Sequence, residues 1–419
     1  MAFNTPGVYV EEINDLTVTV SPSTTAVPVF VVGSAASESW WEAVKKPLRI
    51  NSFMEYERYE NDFTHFASGI VEKELGNNFF SARQNGLSPI SWPTFTTVAQ
   101  KNKRTKVSKA QGINWGKHFP AALLAYFQNG GGYCYICPQD MLAEFIPGMR
   151  DVTLVVQAGE ASAAAAIQAV CLPGSGLFGL LDGPQSLLNE DSYSAMTPSD
   201  NCAVFYPWLK AGWNLTDREG NKIPQDEISH VSPSAVVAGI ICTVDRERGV
   251  WKAPANVAVK GALRPLFKVG NSTQDKYTSP NKIAVNMLRE FEGRGVQVWG
   301  ARTMSVSGTD WLHIPVRRLF DSMERNIQAA LESVVFEPNG PVTWEAVRSA
   351  IYNYLYNLWR QGALQGRTPD SSFRVNIGLG TTMTQADIEA GILRVNVQVS
   401  AVRPAEYIVL EFKQQINVG

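Results

Sequence analysis

The sequence predicts an α/β domain with a largely parallel sheet, followed by an α+β C-terminal region. Three observations carry this. Short β-branched runs such as "AVPVFVVGSA" (Ala26 to Ala35) are apolar throughout, as expected of strands buried on both faces. Further runs of this kind, "LFGLLDGP" and "NCAVFYPWLK", alternate with helix-forming segments such as "FPAALLAYFQ" and "ASAAAAIQAV". The last third then changes to long amphipathic helices followed by period-two strands.

The opening stretch "TPGVYVEEI" follows a Pro-Gly turn signal with an alternating strand, Val8 and Val10 on one face and Tyr9 and Glu11 on the other. A Ser/Thr/Pro-rich stretch follows, with no two-residue turn to a hairpin partner, so this strand is expected to pair far away. After the run at Ala26 the pattern loosens from about 51 to 117. This section reads as an insertion whose basic loop, Lys101, Lys103, Arg104, Lys106 and Lys109, is solvated. A helix is predicted from about Pro120 to Gln128, stopped by Gly130 to Gly132, and another around Ser234 to Val244.

Further on, "KIAVNMLREFEGRG" reads as a short amphipathic helix stopped by Gly293 and Gly295. "VRRLFDSMERNIQAALESVVF" places Leu319, Met323, Ile327, Leu331 and Val334 at helical spacing, with Arg317, Arg318, Glu324 and Arg325 on the other side. Thr343 is the expected N-cap of a helix that repeats Val347, Ile351 and Leu355 and ends near Gly362. Two strands close the chain: Val395, Val397 and Val399 alternate with Arg394, Asn396 and Gln398, and Ile408, Leu410 and Phe412 are set against Glu411 and Lys413.

Composition bounds the function. The 419 residues are 45% hydrophobic and 18% charged, enough for two or three domains with sizeable cores. Lys and Arg number 37 against 39 Asp and Glu, so a net charge of -2 leaves no bulk footprint for nucleic acid. No apolar run approaches the roughly 20 residues of a membrane helix, and the first residues lack a signal-peptide pattern, so cytoplasmic synthesis is expected. Five cysteines do not suggest a disulfide framework. Cys134 and Cys137 form a CxxC in a strand-like run, where residues three apart face opposite ways, which is poor geometry for a metal corner.

Chemistry is hard to find. "GSGLFG", Gly174 to Gly179, is a formal GxGxxG, but a helix-like segment precedes it and a strand follows, the inverse of a dinucleotide site. His65, His118, His230 and His313 are dispersed, with no metal-ligand spacing. Asp182 stands at the carboxyl end of a strand, where α/β enzymes keep catalytic groups, yet Asp before Gly-Pro is also a turn former, and the turn is favoured. No enzyme activity, cofactor or metal is expected. The alternative is an α/β enzyme or nucleotide-binding protein using the Gly174 loop and Asp182.

The ordered blocks "TPGVYVEEI", "FQNGGGYCYI", "LFGLLDGP", "SPSAVVAGIICTVDRERGVWKAPAN", "GRGVQVWGART", "VRRLFDSMERNIQAALESVVFEPNG", "TWEAV" and "LWRQGAL" resemble the contractile tail sheath proteins of phages, R-type pyocins and extracellular injection systems. The resemblance implies a linking arm and hinge over 1–25, an α/β domain over 26–269 with the variable insertion, a C-terminal sheath domain over 270–403 and a linking strand over 404–419. The fold class becomes an α/β sandwich domain plus an α+β sheath domain completed by extended terminal strands.

In function, the resemblance implies a structural subunit that forms hexameric rings stacked around an inner tube and contracts from a metastable extended state. Its implied partners are itself, the tube protein, baseplate and tail terminator or cap proteins, and sheath paralogues, with no nucleic acid and no direct membrane insertion. Val8, Tyr9, Val10, Glu11 and Glu12, together with Ile408, Val409, Leu410, Glu411 and Phe412, become intersubunit linking strands, with 15–25 as the hinge. Arg317, Arg318 and Arg325 become candidate tube contacts, a core helix with a solvated face staying open as the alternative. A single chain carrying both arms and the whole core favours a phage tail, pyocin or extracellular particle over a type VI sheath. Assembly in a bacterial cytoplasm, then residence in a phage tail or released particle, is the implied localisation.

Overall fold

In the computed structural model, residues 18–33, 46–56, 118–212, 230–279, 282–306 and 308–406 are described. They divide into two compact units, 24–318 on the one hand and 18–23 with 319–406 on the other.

The larger unit contains β1 (Pro28–Val32), β2 (Leu48–Ile50), β3 (Cys134–Pro138), β4 (Leu154–Val156), β5 (Phe178–Asp182) and β6 (Cys202–Tyr206). It continues with β7 (Leu209–Ala211), β8 (His230–Val231), β9 (Val257–Ala258), β10 (Leu263–Pro265), β11 (Val285–Phe291) and β12 (Gly295–Trp299). Nine of these form one sheet in the order β2-β3-β1-β4-β5-β6-β11-β12-β9. The contiguous run from β3 to β11 is parallel, while β2, β12 and β9 are antiparallel additions. The largely parallel sheet expected from the apolar runs is therefore present.

Burial on both faces explains why those runs are continuous rather than alternating. In β1, Phe30 and Val32 enter one core while Val29 and Val31 enter the other. The first core is roofed by α1 (Phe119–Gln128) and α3 (Pro233–Arg248), and Phe30 packs edge-on against Tyr126 at 4.9 Å. On the opposite face, α2 (Ala164–Val170) supplies Ile167 and Val170. The CxxC divides as its spacing requires, Cys134 into the first core and Cys137 into the second. All five cysteines are buried and unbridged.

Two expectations fail here. "KIAVNMLREF" is not a helix but β11, joined to β12 by a turn whose Gly293 and Gly295 take φ of 72° and 69°. Parallel pairing with β6 buries both faces of its first half, which erases the alternation that would have marked a strand. As a consequence, the division between units falls at Arg318 rather than at 269, because β11 and β12 complete the large sheet.

A short helix α4 (Asn271–Tyr277) precedes that hairpin, and α5 (Ile314–Leu331) follows it. In the smaller unit α6 (Pro341–Arg360) buries Val347, Ile351 and Leu355, the expected stripe. Its N-cap is Gly340 rather than Thr343. Pro341, with its preset φ and no N–H to satisfy, opens the helix, and the Thr343 hydroxyl donates instead to the Pro338 carbonyl at 2.7 Å. Past its end Gly362 has φ 82°. β13 (Phe373–Asn376) and β14 (Asn396–Val399) pair antiparallel, Phe373 opposite Val399 and Asn376 opposite Asn396.

Candidate assembly interface

Asp182 was the strongest catalytic candidate in the sequence, and its surroundings give it a structural task. One carboxylate oxygen accepts from the Ser234 backbone N–H at the start of α3 (2.8 Å), the other from the Gly159 N–H (2.9 Å). Burial pushes its pKa up to about 6 against these hydrogen bonds. Both oxygens thus tie the end of β5 to neighbouring backbone. The Gly174 loop runs from α2 into β5, so no helix N-terminus follows it to receive a phosphate. Among the described residues no cluster of His, Cys, Asp and Glu could hold a metal.

The internal block "DRERGVWKAPAN" is also architectural. Asp245, in the last turn of α3, forms a bidentate pair with Arg318 of α5 at 2.6 and 3.0 Å, both side chains under 5% exposed. Arg318 Nη2 further donates to the Thr25 carbonyl at 2.8 Å. Gly249 ends the helix at φ 88°, and a Cβ there would sit 2.4 Å from the Trp251 ring, so the Gly-x-Trp spacing is a close approach of backbone to indole. Asn256, at φ 56°, donates its N–H to the Val298 carbonyl and leads the chain into β9.

The arginines expected on a solvated side of the helix are therefore placed differently. Arg317 is buried with its guanidinium 4.1 Å over the Trp311 ring, Arg318 is buried against Asp245, and Arg325 is half-buried. The exposed side of α5 carries Glu324 and Gln328, continued by the exposed Glu332 just past its end. The reason is long-range: the partner that draws Arg318 inward lies 73 residues away and cannot be read from the helix itself.

The smaller unit presents more unfinished surface. No described strand pairs with the outer edge of either β13 or β14. Arg374, Asn396 and Gln398 are exposed on this two-stranded sheet. Phe336 is fully exposed at φ 76°, a conformation costly for a bulky side chain, and Val335 beside it and Val342 at the start of α6 are exposed as well. Sequence patterning missed this outward Phe because "VVF" reads as the end of an apolar stripe. The segments 8–12 and 408–412 lie outside the described residues. Of the hinge, Ser23 is bonded through both its N–H and its hydroxyl to Asn326 Oδ1, and the Thr25 carbonyl accepts from Thr153 as well as Arg318.

The larger unit is thus a mixed-sheet body, and the smaller one carries a two-stranded sheet with no further described strand on either side. Residues 157–304 match the phage tail sheath protein central domain, and 306–415 match the phage tail sheath C-terminal domain. Over 131 residues the chain is 27% identical to the tail sheath protein of Vibrio phage KVP40, covering 30% of this chain and 19% of that relative. Solved structures match along nearly the whole length. The sheath of an extracellular contractile injection system, the PVC sheath complex in its contracted state, is 39% identical with a TM-score of 0.74, covering 99% of each chain. The contracted helical sheath of the anti-feeding prophage is 33% identical with a TM-score of 0.70, covering 99% of this chain and 100% of the other. The chain belongs to the contractile tail sheath family.

Proposed function

We propose that this sheath subunit polymerises as stacked hexameric rings around an inner tube, is held in a metastable extended state, and contracts to drive the tube through a target envelope. The observation that carries this reading is that, among the described residues, no strand pairs with the outer edge of β13 or of β14. An edge strand left open is a template for another chain, and strand addition supplies main-chain hydrogen bonds that survive while the bodies they connect rotate. The alternating segments 8–12 and 408–412 have the pattern such edges accept. A heterologous contact of this kind does not close on itself, so it propagates a helix. Work comes from the difference between extended and contracted interfaces, with a kinetic barrier holding the first.

Tube contact is assigned to α5, through its Glu324, Gln328 and Glu332 side with Arg325 at the border, since Arg317 and Arg318 are already engaged inside the larger unit. The partners are further copies of the chain, the tube protein, the baseplate, a terminator or cap and any sheath paralogue. Identity with the PVC and anti-feeding prophage sheaths supports an extracellular injection particle, assembled in a bacterial cytoplasm and then released.

Overexpression of the full chain should yield long hollow tubes by negative-stain microscopy, and removal of residues 1–13 should leave a folded subunit that no longer polymerises. A strictly monomeric full-length product at high concentration overturns the reading. Intact tubes after the deletion would remove the N-terminal arm from it.

A further inference from the structure

The five cysteines are not equivalent. Burial pushes the thiols of Cys134, Cys137 and Cys242 up, Cys137 to about 12, which makes them inert. Cys202 goes the other way. A hydrogen bond from the Cys171 thiol, helped by the Ser199 side chain and the Gly179 backbone, outweighs its burial and holds it below the usual thiol range.

The geometry around that pair is specific. Cys171 follows the C-terminus of α2, and Cys202 opens β6, where it stands opposite Gly179 of β5. A Cβ at Gly179 would lie 2.6 Å from Cys202 Sγ and 3.5 Å from Cys171 Sγ, so the missing side chain is what leaves the two sulfurs a shared space. Above them opens a cleft of about 450 Å³ lined by Gln168, Cys171, Leu172, Ser199, Asn201 and Val306. Cys171 forms part of the cleft wall, and Cys202 sits behind it with 0% exposure.

We propose that Cys171 and Cys202 are a redox-active dithiol, converted to an intramolecular disulfide by a peroxide-class oxidant entering through this cleft. The Cys171 proton passes along the shared hydrogen bond to the Cys202 sulfur and the Cys171 thiolate attacks one peroxide oxygen; the O–O bond breaks, and the leaving hydroxide takes the proton from Cys202, giving Cys171 sulfenic acid, the Cys202 thiolate and one water. The Cys202 thiolate then attacks the Cys171 sulfur, the S–O bond breaks, and hydroxide leaves, forming a second water with the proton that Cys202 lost on ionising. Two thiols lose two electrons in total, and one peroxide is reduced to two waters. The bond staples the exit of α2 to the start of β6 across β5. It forms only where the surroundings are oxidising, so a chain reduced at synthesis is stiffened afterwards.

The test uses the purified full chain, reduced, desalted and titrated with hydrogen peroxide. Under denaturant the free-thiol count should fall from five to three, and non-reducing peptide mapping should recover a linked Cys171–Cys202 peptide while Cys134, Cys137 and Cys242 remain alkylatable. The melting temperature should rise on the order of 5 °C and return on addition of dithiothreitol. Cys171→Ser and Cys202→Ser should each melt like the reduced wild type and show neither the linked peptide nor the rise. Retention of all five thiols, loss of thiols to higher oxides without a cross-link, or a cross-link between other cysteines would overturn the proposal. Because the readout is made on the subunit, it stands or fails separately from polymerisation.

Discussion

The two units solve opposite problems. Residues 24–318 enclose a nine-stranded sheet between two apolar cores, and even the polar groups at its heart, Asp182, Asp245 and Arg318, are matched by partners inside the unit. The smaller unit has a two-stranded sheet with no further described strand on either side, and outward apolar side chains at Val335, Phe336 and Val342. A two-stranded ribbon is marginal by itself, and open edges are a liability in a monomer. The difference teaches where to look for purpose: the larger unit satisfies its buried groups internally, and the smaller one, among the described residues, leaves strand edges on which the proposed assembly would act.

Substitutions should separate the two regimes. The largest loss is expected at the buried ion pair. Asp245→Ala leaves the Arg318 guanidinium charged and enclosed, which should cost about 3–5 kcal/mol by denaturant unfolding, whereas the double change Asp245→Leu with Arg318→Met should recover most of it. Equal losses in the single and double variants would show that the pair is not coupled. Phe30→Ala opens a cavity beside Phe119 and Tyr126 in the first core and should likewise cost about 3–5 kcal/mol.

Next comes a pH effect. The raised pKa of Asp182 means that the folded state resists ionising this carboxyl, so its contribution to stability declines as pH rises from about 4 to about 6 and is level above that. The span corresponds to about 3 kcal/mol. Asp182→Asn should be offset by the loss of one backbone acceptor, but its stability profile between those pH values should lack the decline that wild type carries. Parallel profiles would refute the assignment.

The smallest stability effect should come from the smaller unit. Phe336→Ser touches no core, so unfolding should shift by less than about 0.5 kcal/mol, yet tube formation should fall sharply. A variant that polymerises like wild type would return Phe336 to the class of incidental exposed side chains.

How legible this was depends on the range of the interactions involved. The runs that became β1, β5 and β6 are local signals, buried on both sides and punctuated by glycine or proline, and composition alone marked them. The same property hid β11, because two-sided burial removes the alternation that distinguishes strand from helix. At the start of α6, Thr343 looked like a cap, but Pro341 two residues earlier set the helix start. Arg318 looked solvated because helical periodicity counts residues on one face and knows nothing of Asp245 on another helix. The outer edges of β13 and β14, which no described strand covers, could not be read from periodicity and came only through the resemblance, since an unpaired edge is a property of the sheet and not of any strand within it.

Ser23 and Asn326, bonded to one another, are 303 residues apart in the chain. The smaller unit is thus stitched from one segment made before residues 24–318 and one made after them, while 24–318 is continuous. Domains fold as units while the chain is being synthesised, so the larger unit can form first and the smaller one must wait for residues 319–406 to follow it. Under the proposed function the order of covalent synthesis would work as a timer, delaying the surface assigned to assembly until the larger unit is complete.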